Sequence, residues 1–176
     1  MSATKLELTP NTAVRRAATF GASETHSCDH LWSLKFAITA ALQSPCQSKR
    51  GVVIWDGDGI ISAGFNHLPS PFACDGSSSC RNICSRAAVH AEEHALLRAN
   101  RHRLAGASML HVKVIDGKPV PSGDPSCLRC ASMVLESGIA HFWLLHEGGW
   151  HEYTAAGFYE KSGGLNERFV LSNLRL

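Results

Sequence analysis

"GVVIWDGDGIISAGF", Gly51 to Phe65, consists of two apolar, β-branched runs on either side of Asp56-Gly57-Asp58-Gly59. Asp-Gly is a strong tight-turn signal, so the stretch predicts a β-hairpin. Working back toward the N-terminus, "DHLWSLKFAITAALQ" sets Leu31, Leu34, Ile38, Ala41 and Leu42 on one stripe, the pattern of an amphipathic helix. Asp29 is placed to cap it and Pro45 follows its end. Residues 1–28 read as a loosely ordered leader and residues 29–176 as one domain.

Working forward, "NHLPSPFACDGSSSCRNICS" carries Pro69, Pro71, Gly76 and a serine run, and reads as a loop. A loop of that length inside a compact domain is usually functional. "AVHAEEHALLRANRH" predicts a helix, and "SMLHVKVI" a strand that turns at Asp116-Gly117. "CLRCASMVLESG" predicts a helix stopped by Gly138, and "IAHFWLLH" a buried strand. The Gly- and aromatic-rich stretch from Glu147 has no clear period, and "RFVLSNL" reads as a last strand or helix. Helices alternating with strands imply a sheet covered by helices, an α/β layered domain.

The 176 residues are 44% hydrophobic and 18% charged, an ordinary globular balance for a single core. A net charge of +2, with scattered basic residues, provides no field for holding long nucleic acid. The opening "MSATKLELTPNTAVRRAATFGAS" is neither a secretory signal nor a membrane span, so the chain reads as cytoplasmic. Thiols there are normally reduced, so the seven cysteines are tested first as metal ligands.

Cys127 and Cys130 lie three apart at the start of a predicted helix, one turn apart on one face. The helix N-terminus favours their thiolates. Two thiolates are half of a tetrahedral zinc site; a redox pair or two small core residues are the other readings. His90 adds a third donor, which is the count for a catalytic zinc that keeps one position for water. Glu92, two residues on, does not share the His90 face, so it suits a proton shuttle over the open position better than a ligand. "HAEEH" is not the His-Glu-x-x-His of metalloproteases, because Glu does not directly follow His90. Glu93 and His94 read as solvent-facing or packing residues.

The motifs "HAE" (His90–Glu92), "PSCLRC" (Pro125–Cys130) and "GFNHLP" (Gly64–Pro69) resemble the cytidine and deoxycytidylate deaminase superfamily, over roughly residues 29–146. One departure is visible. The family places Pro directly before the first Cys, and here Ser126 holds that place, with Pro125 one earlier.

The resemblance implies a three-layer α/β/α sandwich with a central mixed sheet of about five strands. It implies a hydrolase of the C–N bond in a cyclic amidine, with one catalytic zinc on His90, Cys127 and Cys130, and Glu92 as the proton shuttle. By the same resemblance Ala91, Asn66 and Ser126 contact the substrate. The expected substrate is a free cytosine nucleotide such as dCMP, giving dUMP and ammonia. Deamination of another amino-bearing heterocycle (guanine, cytidine, a pterin-like ring) and a non-catalytic zinc module are the alternatives. The expected partners are a small-molecule substrate and further copies of the chain, without membrane or nucleic acid.

Cys74, Cys80 and Cys84 fall within eleven residues before His90 and suggest a second, structural zinc. Its fourth ligand is left open between His67, His94 and Cys46. Cys28 and Cys46 have no pattern of their own. Lys49 and Arg50 read equally as phosphate contacts or as solvated charges. His141, His146 and His151 read as structural or surface residues. Among Trp150, Tyr153, Phe158 and Tyr159, one is expected against the substrate base.

Overall fold

The computed structural model describes residues 31–163 apart from Ser126. The expected leader, the Asp29 cap and the residues 168–174 strand or helix lie outside the described residues. Within them the order is α1 (Leu31–Leu42), β1 (Lys49–Asp56), β2 (Gly59–Phe65), α2 (Ser78–Ala87), α3 (Ala91–Arg98), β3 (Ser108–Ile115), β4 (Lys118–Val120), α4 (Leu128–Glu136), β5 (His141–His146), β6 (Gly149–Thr154) and α5 (Ala155–Lys161).

The hairpin forms where the Asp-Gly signal puts it. Asp56 Oδ1 accepts the Asp58 N–H at 2.9 Å, and Gly59 takes φ +115°, a conformation that side chains resist. The Arg103 guanidinium then clamps the same Asp56 carboxylate. The sheet runs β2-β1-β3-β5-β6, with β4 paired to β3. Among the described residues only β3 and β5 run parallel; the other strand pairings are antiparallel. The sheet is therefore mixed, as expected, and short β4 makes a sixth strand.

Strand alternation sends successive side chains into two cores. Val53, Trp55, Leu110, Val112 and Val114 meet Ala37 and Ala41 of α1 on one face. Val52, Ile54, Met109 and Phe142 meet α3, α4 and α5 on the other, through Ala91, Ala95, Val134 and Phe158. Two glycines set how closely these layers approach. A Cβ on Gly51 would lie 2.0 Å from the Ala37 carbonyl oxygen; one on Gly64 would lie 2.4 Å from Ala95 N and 2.5 Å from Ala91 O. Both helices therefore ride with backbone against strand.

This close seating corrects the expected α1 stripe. Ser33, Ala37, Ala40 and Ala41 are the buried residues, whereas Leu42 is exposed and Leu34 and Ile38 only partly covered. Small side chains win because Gly51 leaves no room for large ones. The expected loop 66–85 also holds α2, whose first turn is capped by the Ser77 hydroxyl accepting from Cys80 N–H at 3.1 Å. The region after Glu147 resolves into β6 and α5, with Thr154 capping α5. Among the described residues no helix is long and apolar enough to cross a membrane.

Candidate active site

Position 90 is delivered by a two-residue bridge. His67 N–H donates to Val89 O at 3.1 Å and Val89 N–H to His67 O at 2.8 Å, tying the segment before α3 to the continuation of β2. His90 follows as the extended N-cap residue of α3, with Ala91 and Glu92 the first two helical residues. Glu93 turns back to accept the His90 N–H at 2.8 Å, and Arg129 of α4 pairs with the same carboxylate at 2.6 Å. Glu93 is therefore buried and joins the N-termini of α3 and α4.

Cys127 caps α4, its sulfur facing the Cys130 N–H at 3.5 Å. His90 Nδ1 lies 3.2 Å from Cys130 Sγ, and the donor atoms of His90, Cys127 and Cys130 all lie within 4.8 Å of one another. The Cys130 thiol and the His90 imidazole hold Cys127 down to about 3. Cys130, which shares that hydrogen bond and is buried, is pushed well above the thiol range, and Cys127 raises His90. One imidazole and two sulfurs, one of them already poised as thiolate, are the donor set of an open zinc site. The residues fit the metal.

Glu92 is buried beside this set and faces His111 on β3, with Oε1 4.0 Å from Nε2. His111 is buried as well. Burial lowers its pKa to about 4 against the pull of Glu92, so its ring is neutral. Ser122 Oγ lies 3.5 Å from Nδ1; a hydroxyl donating there leaves the Nε2–H directed at Glu92. Sequence reasoning missed both residues, because a lone histidine in an alternating strand carries no motif.

His90, Ala91, Glu92, His111 and Cys127 open onto a cavity of about 660 Å³, of the size that takes a small molecule. Asn66 lines it too, but its amide also serves the fold: Oδ1 accepts Arg50 N–H at 2.8 Å and Nδ2 donates to Ser48 O at 2.8 Å. Arg50 faces the cavity, whereas Lys49 turns its ammonium to the Ser44 carbonyl. Ser126 lies outside the described residues; its neighbours Pro125 and Cys127 both line the cavity. Of the four late aromatics, Phe158 reaches it, stacked on Phe142 at 3.8 Å. His94 packs edge-on against His67 and Phe65.

The far wall is cysteine. Cys74 Sγ lies 2.9 Å from Cys80 Sγ and 3.8 Å from Cys84 Sγ; Cys80 and Cys84 are 3.5 Å apart, and Cys46 and Cys84 3.9 Å. The four come from three places: the chain after α1, the loop after β2, and α2. Cys46 thus joins the set although no spacing marks it, while His67 and His94 pack against each other and Phe65. Cys28 lies outside the described residues.

The fold is similar to that of a cytidine deaminase, and the sequence to those of deoxycytidylate deaminases. Two curated relatives, both named deoxycytidylate deaminase, carry the sequence similarity. The one from Schizosaccharomyces pombe is 30% identical over 117 residues, 60% of this chain and 33% of that protein. The one from Saccharomyces cerevisiae is 32% identical over 118 residues, 61% of this chain and 34% of that protein. The match thus spans about a third of the length of these relatives. The crystal structure of cytidine deaminase from Burkholderia pseudomallei shares the fold at a TM-score of 0.53 and 17% identity, covering 73% of this chain and 94% of that one. No family model matches the chain.

Proposed function

We propose that this chain is a hydrolytic deaminase that removes the exocyclic amine of a nucleobase, with a free cytosine nucleotide of the dCMP type as its substrate. The observation that carries the reading is a buried carboxylate, Glu92, set beside the convergent donors of His90, Cys127 and Cys130. The similarity to two proteins named deoxycytidylate deaminase supports the nucleotide.

His90, Cys127 and Cys130 are the residues to hold zinc, which supplies a water acidified to a pKa of about 7. With zinc held there, Glu92 would take one proton from the water and pass it to the ring nitrogen as the water oxygen bonds to the adjacent amine-bearing carbon. It then relays the second proton to the amine. The C–N bond breaks, ammonia leaves, and the oxygen stays on the ring as a carbonyl. The neutral His111 imidazole directs a donor at Glu92 and orients its carboxylate. Ala91 presents a helix-N-terminal amide, one of those without an intrahelical partner, to the ring carbonyl. Asn66 is assigned to the sugar.

Cys46, Cys74, Cys80 and Cys84 are assigned a second, structural zinc. The sulfurs of Cys46, Cys74 and Cys84 lie within 4.8 Å of one another, and Cys80 Sγ lies 2.9 Å from Cys74 and 3.5 Å from Cys84, against an edge of about 3.8 Å for sulfurs at 2.3 Å from a zinc ion. Six free cysteines among the described residues suit a reducing, cytoplasmic setting. A single domain over residues 29–176 and assembly into a homo-oligomer complete the reading.

The test is ammonia release over a panel of amino-bearing bases, nucleosides and nucleotides, with wild type and Glu92→Gln. Wild type should turn over dCMP. The variant should keep its zinc and lose about 10²–10⁴-fold in rate. Undiminished turnover in the variant rejects the shuttle, and a silent panel rejects the enzyme in favour of a zinc-binding module.

A further inference from the structure

Helix α2 forms part of the active-site cavity wall, which it lines with Arg81, Cys84 and Ser85. Its sequence provides no apolar face to hold it there. Of its described side chains only Cys80 is buried and Cys84 half-buried; Ile83, its one large apolar residue, is exposed. The helix is therefore moored through sulfur. Cys84 meets Cys46 of the chain after α1 at 3.9 Å, and Cys46 faces the Asn66 carbonyl at 3.7 Å. Other ties lie at the two ends: Gln47 Nε2 donates to Ser77 O at 3.2 Å, and Arg129 to Ala88 O at 3.4 Å.

The four sulfurs are not equivalent. Cys74 and Cys80 stand 2.9 Å apart, whereas Cys80–Cys84, Cys74–Cys84 and Cys46–Cys84 are at 3.5, 3.8 and 3.9 Å. A disulfide needs about 2.05 Å, so a movement of less than about 1 Å joins Cys74 to Cys80. The bond would tie the first turn of α2 to its own approach, across the turn that Asp75 makes with the Ser77 N–H, and would add nothing that holds α2 to the sheet. Cys74 opens onto the cavity, within reach of a small oxidant, and Cys80 lies buried behind it. Disulfides of reducing compartments are commonly transient and redox-sensing.

We propose that Cys74 and Cys80 are a redox-active dithiol, which a hydroperoxide oxidises to a disulfide that unmoors α2 from the active-site wall. With hydrogen peroxide, the Cys74 sulfur attacks one oxygen, the O–O bond breaks, and Cys74 becomes a sulfenic acid as one water leaves. The Cys80 sulfur then attacks Cys74, the S–O bond breaks, and a second water carries off the Cys80 proton. The two sulfurs give up two electrons and the peroxide takes both; thiol exchange with a reductant reverses the step. Cys46 and Cys84 alone are half a tetrahedral set, so zinc held by the cluster is released. Bond formation needs only the two thiols; the proposal rests on the zinc assignment for the released ion alone, and on the deaminase reading for the turnover readout alone.

The experiment treats the intact, zinc-loaded chain, Cys74→Ser and Cys46→Ser with a small excess of hydrogen peroxide. Peptide mapping by mass spectrometry locates the bond, a chromophoric chelator reads released zinc, and trypsin cleavage after Arg81 and Arg86 reads local opening of α2. Wild type should yield a linked Cys74–Cys80 peptide, release one of two zinc equivalents, and be cut in α2 on the order of 10-fold faster. Its kcat/KM should fall by about 10-fold or more as the wall is displaced, and dithiothreitol with zinc should restore all four readouts. Cys74→Ser should form no link. Cys46→Ser, with the dithiol intact and the mooring lost, should form the link and be cut fast before any peroxide is added. Cys74 and Cys80 recovered as thiols while other cysteines oxidise, a Cys127–Cys130 link in place of theirs, or unchanged cleavage of α2 once the bond has formed overturns the proposal. A linked pair in a protein that never carried the second zinc keeps the switch and removes the metal. A linked pair with α2 opened, in a protein that deaminates nothing, keeps the switch and rejects the deaminase reading.

Discussion

Gly64→Ala tests the step from sequence to site in one methyl group. The added Cβ would lie 2.4 Å from Ala95 N and 2.5 Å from Ala91 O, both backbone atoms of α3. Ordinary contact begins near 3.4 Å, so α3 must withdraw by about 1 Å, and overpacking of this kind costs about 1–3 kcal/mol. The upper end applies, because backbone cannot rotate away as a side chain can. For a chain of this size, 3 kcal/mol lowers the melting temperature by roughly 6–12 °C. The same displacement moves His90 and Glu92, which sit at the start of α3. Metal ligands tolerate about 0.2 Å, and a 1 Å misplacement of a catalytic group costs about 10²-fold. Gly51→Ala is the counterpart on the opposite face: its Cβ meets α1 at Ala37 O, 2.0 Å away, and α1 supplies no donor to the His90 set. It should lower the melting temperature at least as much while the folded fraction keeps zinc and activity. Gly57→Ala, with nothing within 4 Å, should be silent in both. Thermal melts, zinc content and rate per folded molecule read the three variants. A Gly64→Ala protein that melts and turns over like wild type would refute the backbone-on-strand seating of α3.

The remaining predictions concern the supports of the site. Arg129→Ala unties Glu93 from α4 and should weaken zinc binding by about 10–100-fold in competitive chelator titrations, as loss of an outer-shell partner does; unchanged affinity means the brace is incidental. Wild type should carry two zinc equivalents by elemental analysis and Cys46→Ala one, with the remaining ion still supporting turnover; one equivalent in wild type removes the Cys46 cluster from the metal inventory. His111 is held neutral when folded, at about 4, against 6.5 in the free residue. As pH falls from 6.5 to about 4 the unfolded chain takes a proton that the folded chain refuses, so stability is lost across that window, by on the order of 3 kcal/mol. His111→Gln should flatten that acid limb relative to wild type in melts across pH, with the metal-linked losses common to both; parallel limbs would show that His111 titrates freely.

Local chemistry was legible wherever one segment carried its own signal. The Asp56–Gly59 turn, the Gly138 stop and the alternation of β3 each depend on residues within a few positions, and so do the spacings of His90 with Glu92 and of Cys127 with Cys130. What escaped depends on distance in space. The α1 stripe misled because hydrophobic period reports which residues are greasy. How near a helix may come is decided instead by Gly51, on another element, and that nearness selects Ser33 and the alanines. Cys46 has no sequence partner because its partners lie across two connections, and α2 was hidden by serines that read as loop although Ser77 is a cap. The Arg50–Lys113 opposition appears only once β1 and β3 are in register, since a single residue's slip would send one of the two side chains to the α1 face. The pairing that closes the sheet thus also sets which charges line the pocket.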